Sequence, residues 1–313
     1  MPSPQWIARK RNLFLAFDAF GTLFTPKAPI EAQYGEIAKR HGIDCPSEKL
    51  LKQSFKAAFK EESTKHPNYG KALDMGAETW WENVIKKTFL PFLKQNQQLP
   101  QPLISDLWMR FSTKEGYVMY PDVLPFFEML RHSKALSNSS HSWRWEKTVV
   151  GVITNSDDRV PRVLESLGLK IGPRRAGSSA LRTERGSLDH DISFVVLSYD
   201  VGYEKPDPRM FNAAADMLRA TLSDGSADAK THSIDDFDML YVGDSVEKDL
   251  VGAARAGWDS VFVDRIGAYA KHLEQNQPIG SIHVRTMDSE GNTTRKQIEV
   301  IKDLLALSNW PPY

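Results

Sequence analysis

Five short, mostly apolar runs recur along the chain, and each has the length of a buried β-strand. The runs cover residues 13–17, 149–153, 194–197, 239–242 and 260–263. Unbroken apolar runs, without alternation of polar and apolar positions, are typical of strands that are covered on both faces. Helical patterns at residues 159–167, 208–218 and 246–256 lie between the later runs. This alternation predicts an α/β fold with a doubly wound parallel sheet and right-handed crossovers.

The stretch between the first and the second run has helical spacing and no strand pattern. Helices are predicted over residues 30–41, 47–65, 78–89 and 102–111; in the second of these, Leu51, Phe55 and Phe59 recur at intervals of four. We therefore expect residues 27–117 to form a helical cap domain, inserted into a core made of residues 1–26 and 118–313. A helix over residues 122–131 is expected to return the chain to the core.

Four further segments lack any hydrophobic period and are rich in serine, glycine and charge. They cover residues 132–147, 172–193, 221–236 and 275–294. Such composition is typical of surface loops or disordered insertions, so no helix or strand is predicted within them.

Charge and cysteine content limit the possible partners. The chain of 313 residues has 40 lysines and arginines against 40 aspartates and glutamates, so no overall field favours nucleic acid or an anionic membrane. No apolar run reaches the roughly 18 residues of a membrane span. The single cysteine, Cys45, excludes an internal disulfide and fits a reducing compartment. Together these features predict a cytoplasmic protein, without deciding against the nucleus or the mitochondrion.

Polar residues follow four of the predicted strands directly or in the next loop. In an open parallel sheet the carboxyl ends of the strands form the ligand site. Each residue taken alone has a plain structural explanation, such as a helix cap, a turn or a solvated lysine. Their coincidence at one edge of one sheet favours a single chemical site. The residues are Asp18, Gly21 and Thr22 after the first strand, Thr154, Asn155 and Ser156 after the second, Lys205 after the third, and Asp244 with Asp249 after the fourth.

In this order, these motifs resemble those of the haloacid dehalogenase superfamily of hydrolases. The resemblance covers FDAFGTL from Phe17, TNS from Thr154, Lys205-Pro206, and GDS from Gly243 continued through Asp249. The helical insert after the first motif also stands where that family places its cap domain. The resemblance implies a doubly wound core with a cap above the strand ends, and hydrolytic chemistry between the two.

The resemblance also implies a Mg²⁺-dependent phosphatase that acts on a phosphorylated small molecule. Asp18 would attack phosphorus as a carboxylate nucleophile and give an aspartyl intermediate that water later hydrolyses. Mg²⁺ prefers oxygen ligands, so the carboxylates of Asp18 and Asp244 and the backbone carbonyl of Phe20 would bind it. Asp249 would be a further ligand or would orient a metal-bound water.

The phosphate itself would be held by three other residues of the motifs. The side chain of Thr154 and the backbone N–H of Asn155 would contact its oxygens, and Lys205 would neutralise charge between the phosphate and Asp18. Further candidates for substrate contact are Thr22 and, on a cap loop that is equally explained as a connection between helices, His66, Tyr69 and Lys71.

Phe20 departs from the family pattern. Superfamily phosphatases generally carry a second aspartate at this position, where its carboxylate protonates the leaving group and then activates water. Phenylalanine retains the backbone carbonyl but does neither step. Because general acid–base help contributes about 10²–10⁴ in rate, we expect weak or selective hydrolysis that favours good leaving groups.

Two other interpretations of Phe20 stay open at this point. The string Asp18 to Thr22 is similar to that of 2-haloacid dehalogenases, in which halide leaves without a proton. Those enzymes use no metal, however, and lack the paired carboxylates Asp244 and Asp249, which would be costly beside Asp18 without a cation. A third interpretation is a binding protein that keeps the fold but has lost turnover, although the other motif residues all remain.

If the missing carboxylate limits the rate, Phe20→Asp is expected to accelerate hydrolysis of a simple alkyl phosphate by about tenfold or more, because it restores the general acid. Steady-state phosphate release from glycerol phosphate with Mg²⁺ measures the change. An unchanged rate, in a variant that still folds and binds Mg²⁺, would contradict this explanation.

Overall fold

Eight strands form one sheet in the computed structural model, which describes residues 12–45, 47–135, 143–177, 190–224, 233–269, 278–287 and 293–310. The strands are β1 (Asn12–Phe17), β4 (Thr148–Thr154), β5 (Ile171–Arg175), β6 (Ile192–Leu197), β7 (Phe237–Gly243), β8 (Asp259–Val263), β9 (Ile279–Met287) and β10 (Thr293–Ile301). Their order across the sheet is β5-β6-β4-β1-β7-β8-β10-β9. All neighbours are parallel except β9 and β10, which are antiparallel. The predicted α/β sheet is confirmed.

The central strand β1 shows why the apolar runs are unbroken. All six of its residues are buried. Leu13, Leu15 and Phe17 pack into a cluster on one face, and Phe14 and Ala16 pack into a separate cluster on the other. A strand with apolar contacts on both faces leaves no position for a polar side chain.

Helices cover both faces of this sheet. Outside the insert they are α5 (Val123–Ala135), α6 (Val160–Ser166), α7 (Ser198–Val201), α8 (Pro208–Asp224) and α9 (Val251–Arg255), with a π-helical turn at Val246–Leu250 before α9. Residues of α5 and α6 join the cluster that contains Leu13, whereas residues of α8 join the cluster that contains Phe14. Among the described residues, none of the helices combines the length and the apolar character that crossing a membrane requires.

The insert contains the four predicted helices, displaced by no more than one residue at either end. They are α1 (Ile30–Arg40), α2 (Glu48–Lys65), α3 (Ala77–Phe89) and α4 (Gln101–Arg110). Ser47 caps α2 by accepting a hydrogen bond from the backbone N–H of Leu50. The chain enters and leaves the insert through an antiparallel pair, β2 (Phe24–Pro26) and β3 (Tyr117–Met119). This pair lies at the predicted boundaries of the cap, and the division into two domains there stays a prediction.

The prediction that the four segments contain no helix or strand was wrong where α5, α8 and β6 include residues 132–135, 221–224 and 192–193. It was also wrong at the two edges of the sheet. Residues 172–175 belong to β5, and residues 279–287 and 293–294 belong to β9 and β10. Strands near an edge need less apolar burial, so their sequences lack the continuous runs of the centre. Of the four predicted loops, residues 136–142, 178–189, 225–232, 275–277 and 288–292 lie outside the described part of the chain.

Candidate active site at the strand ends

Three aspartates meet where the central strands end. Because β1 lies between β4 and β7, the residues that follow these strands share one edge of the sheet. Asp18 follows β1, Asp244 follows β7, and Asp249 lies in the π-helical turn after β7. Each contributes a carboxylate oxygen, and these oxygens lie within 4.8 Å of one another. The predicted cluster of carboxylates therefore forms in the folded chain.

Lys205 is buried at the centre of this cluster. Its Nζ lies 2.9 Å from Oδ1 of Asp18 and 2.6 Å from Oδ1 of Asp249. Burial by itself lowers the pKa of an ammonium group, but the two carboxylates outweigh it and raise the pKa of Lys205 above its ordinary value. The lysine is therefore charged, and it balances one of the three carboxylates.

The negative charge that Lys205 does not balance raises the pKa values of Asp244 and Asp249. Burial, and then the charges of Asp18 and Asp249, raise the pKa of Asp244 to about 6. The pKa of Asp249 is also raised, first by burial and then by Asp18, against the opposing effect of Lys205. A cation bound among these oxygens would remove the repulsion, and a site of carboxylate oxygens suits Mg²⁺. The donor set therefore fits the metal that the motifs imply.

Gly21 allows the first motif to approach Asp244. It adopts a left-handed conformation with φ of +82°, and a Cβ at this position would lie 2.2 Å from Oδ2 of Asp244. A side chain here would have to move the carboxylate, and the left-handed backbone is strained for other residues, so glycine suits the position on both counts.

Asn155 holds the loop of Lys205 through its side chain. Its Nδ2 donates to the carbonyl of Lys205 at 3.0 Å, and its Oδ1 accepts from the backbone N–H of Lys205 at 2.7 Å. The sequence predicts only that the backbone N–H of Asn155 contacts the phosphate. The two hydrogen bonds of its side chain to Lys205 are a further role. Thr154 is buried beside it, with Oγ1 3.1 Å from Oγ of Ser156. Thr22 is also fully buried but is not among the residues that line the cavity described below.

Tyr241 belongs to the site but was missed in the sequence. Its hydroxyl accepts from Nζ of Lys205 at 2.6 Å and donates to the carbonyl of Ile153 at 2.8 Å. Burial raises its pKa well above the ordinary value, so the phenol keeps its proton. The sequence did contain a signal for this role, since Tyr241 lies inside an unbroken apolar strand. A buried phenol needs a hydrogen-bond partner, which indicates a polar contact inside the core.

A cavity of about 510 Å³ lies above these residues. Its polar side contains Asp18, Thr154, Asn155, Lys205, Asp244 and Asp249. The rest of its wall is largely aromatic and comes from the insert and the β2–β3 pair. Phe20 stands where the two parts meet: it is 43% exposed, and its ring contacts those of Phe24 and Tyr117 edge to face.

Asp157 and Arg159, just after the second motif, connect the sheet to the insert and were also missed. The guanidinium of Arg159 donates to both carboxylate oxygens of Asp157, at 2.9 and 2.8 Å. It also stacks on Trp81 and Trp108, 4.7 and 4.5 Å from the ring centres. Nε1 of Trp81 donates to Asp157 at 2.7 Å. The arginine, its counter-ion and both indoles thus form one stacked contact.

Of the three candidates on the cap loop, Tyr69 is the one that lines the cavity. It adopts a left-handed conformation, with φ of 58°, and packs against Trp80 and Trp81. The side chain of His66 contacts Glu62 at 2.6 Å, and Nζ of Lys71 lies 4.7 Å from the centre of the Tyr199 ring. Neither of these two is among the residues that line the cavity.

Tyr241→Phe is expected to lower the free energy of unfolding by about 1–3 kcal/mol, because the carbonyl of Ile153 and the buried ammonium of Lys205 each lose a partner. Urea denaturation followed by circular dichroism measures it. Tyr203→Phe, at a tyrosine that is 41% exposed, is the control and is expected to change stability by no more than about 0.5 kcal/mol. Equal stability of both variants would contradict a supporting role for the Tyr241 hydroxyl.

Comparison with known proteins agrees with the motifs. A hydrolase of Schizosaccharomyces pombe is 28% identical over 261 residues, which cover 83% of this chain and 94% of that protein. Haloacid dehalogenase-like hydrolase domain-containing protein 3 of Bos taurus is 25% identical over 249 residues, 80% of each chain. Among solved structures, the magnesium-bound HAD-hydrolase YfnB from Bacillus subtilis is 15% identical, with a TM-score of 0.49 over 82% of this chain and 91% of that one.

The family model for haloacid dehalogenase-like hydrolases matches residues 14–257. This match includes all four motifs and the whole insert between the first two. It also extends over most of the described sheet, from β1 to the end of α9. The chain belongs to the haloacid dehalogenase-like hydrolase family.

Proposed function

We propose that this protein is a Mg²⁺-dependent phosphatase that acts through Asp18 and prefers substrates whose leaving group departs without protonation. The observation that carries the proposal is the set of three carboxylates around one buried lysine, which leaves uncompensated negative charge on the wall of a cavity. The substrate is a phosphorylated small molecule that enters this cavity.

Different residues carry out nucleophilic attack, charge neutralisation and binding of the phosphate. The Asp18 carboxylate attacks phosphorus while Lys205, 2.9 Å from it, neutralises charge on the nucleophile and on the phosphate. The Thr154 hydroxyl and the Asn155 backbone N–H hold the phosphate oxygens. Water then hydrolyses the aspartyl phosphate. Mg²⁺, held by Asp18, Asp244, Asp249 and the Phe20 carbonyl, would supply electrostatic stabilisation to the phosphate oxygens.

The carboxylates after β7 favour a phosphatase over a metal-independent dehalogenase. Asp244 and Asp249 each have a raised pKa beside Asp18, so in the absence of a cation they oppose the charged form of the nucleophile. A dehalogenase gains nothing from this arrangement, because it needs neither a metal nor a charged phosphate. Phe20 is the residue that fits dehalogenation, since halide needs no proton to leave.

A small substrate panel distinguishes these chemistries. We expect phosphate release with Mg²⁺ from acetyl phosphate and p-nitrophenyl phosphate, and much slower release from glycerol phosphate. Chelator is expected to abolish it, and Asp18→Asn is expected to lower it by about 10³ or more. Asp216→Asn, at an aspartate paired with Arg219 on the surface, is the matched control and should retain full activity.

Halide release from 2-chloropropionate that survives chelation would contradict the phosphatase and support the dehalogenase. Phosphate release that persists in Asp18→Asn would contradict the assignment of the nucleophile. The absence of any turnover across the panel would favour a binding protein of this fold.

A further inference from the structure

We propose that the substrate is an aryl phosphate, the phosphate monoester of a phenol with an extended and uncharged ring system, which the aromatic wall of the cavity holds. This inference rests on the phosphatase function proposed above and names its substrate class. It is carried by three features: the continuity of the aromatic wall, the lack of uncompensated charge along that wall, and the absence of a general acid at Phe20.

The aromatic wall is a continuous belt of seven rings that begins two residues from the nucleophile. Along the belt, the centres of successive rings lie 5.2–6.1 Å apart. In order, its members are Phe20, Tyr117, Phe111, Tyr34, Phe55, Phe59 and Trp81, and all of them line the cavity. Such spacing permits stacked and edge-to-face contacts, which a flat aromatic guest extends.

The belt offers no uncompensated charge to a substrate. Beyond the carboxylate cluster, the charged residues that line the cavity are Asp157, Arg159 and Lys248. The first two neutralise each other in a bidentate pair. Lys248 is exposed and adjoins Asp249 in the chain, so it belongs to the carboxylate side of the cavity and not to the belt. Burial also raises the pKa of Tyr117 to about 12, so this phenol stays neutral. A charged substituent on the ring would lose water without gaining a partner.

The size of the cavity fits more than one ring. At about 510 Å³ it lies within the range of about 300–1,000 Å³ that is usual for small-molecule sites. A fused two-ring system reaches from Phe20 along the belt, whereas a short polyol or an amino acid leaves most of the rings uncovered.

The absence of a general acid at Phe20 also favours aryl phosphates. A bond forms between the Asp18 carboxylate oxygen and phosphorus, and the bond between phosphorus and the ester oxygen breaks with its electron pair on that oxygen. A phenol has a pKa of about 10, as for tyrosine, so it leaves as a phenolate and takes its proton from water afterwards. An alkoxide, which is far more basic, requires the general acid that Phe20 does not supply.

Binding of 2-naphthol, the alcohol that hydrolysis of an aryl phosphate releases, tests recognition of the ring without requiring catalysis. We expect 2-naphthol to bind the metal-free protein in isothermal titration calorimetry, with at least about tenfold higher affinity than cyclohexanol. Phe59→Ala, which removes one ring of the belt at a residue that is 37% exposed, is expected to weaken naphthol binding about tenfold. Leu90→Ala, on the insert but outside the cavity and 68% exposed, is the matched control and should bind as the wild type does.

Turnover then tests the substrate class. With Mg²⁺, kcat/KM for 2-naphthyl phosphate is expected to exceed that for phenyl phosphate, whose leaving group has similar acidity, by about tenfold or more. Phe59→Ala should reduce this ratio, and Leu90→Ala should preserve it. Equal kcat/KM for the two esters, or a ratio that Phe59→Ala leaves intact, would overturn the aryl phosphate proposal.

Two outcomes distinguish this proposal from the function on which it rests. Efficient hydrolysis of acetyl phosphate without naphthol binding would overturn the aryl substrate while the phosphatase function stands. Naphthol binding without Asp18-dependent hydrolysis of any phosphate ester would overturn both, because the ring site would then serve a different chemistry.

Discussion

The arrangement of the site depends on one buried cation among three carboxylates. Lys205 contacts Asp18 and Asp249 directly, and the ends of β1, β4 and β7 fix the surrounding groups. Asn155 holds its backbone and Tyr241 holds its ammonium. Burying charge is costly unless it is compensated, and a single lysine compensates only part of this cluster. This imbalance is the basis of the proposal that the cluster binds a divalent cation and a phosphate.

Phe20 joins the chemistry of the site to the choice of substrate. Phe20 lies two residues after the nucleophile, and its side chain is the first ring of the aromatic belt, which continues from Tyr117 to Trp81. A carboxylate at this position would place charge against those rings, whereas phenylalanine extends them. The proposed selectivity for good leaving groups and the proposed binding of an aryl group therefore both depend on this residue. Arg159, Trp81 and Trp108, which contact one another, line the same cavity.

The centre of the fold and the motif residues were predictable from the sequence, because burial on both faces produces unbroken apolar runs and parallel strands end at a common edge. The edge strands β5 and β9 were not, since a strand with one neighbour needs little apolar burial. Tyr241 and Arg159 escaped prediction because their partners are distant in the chain: Tyr241 meets Ile153, and Arg159 meets Trp108. The contact of Thr22 with the substrate stays a prediction from its place in the motif; its side chain is fully buried and is not among the residues that line the cavity.

Thermal stability at increasing Mg²⁺ concentration shows whether the carboxylate cluster binds a divalent cation. The midpoint temperature of unfolding is expected to rise with Mg²⁺ concentration to a plateau, because a ligand that binds the folded state stabilises it. Asp244→Asn should remove most of this rise, whereas Asp106→Asn, at an exposed aspartate in the insert, should retain it. A midpoint independent of Mg²⁺ in the wild-type protein, or a rise that Asp244→Asn leaves unchanged, would contradict the binding of Mg²⁺ by this cluster.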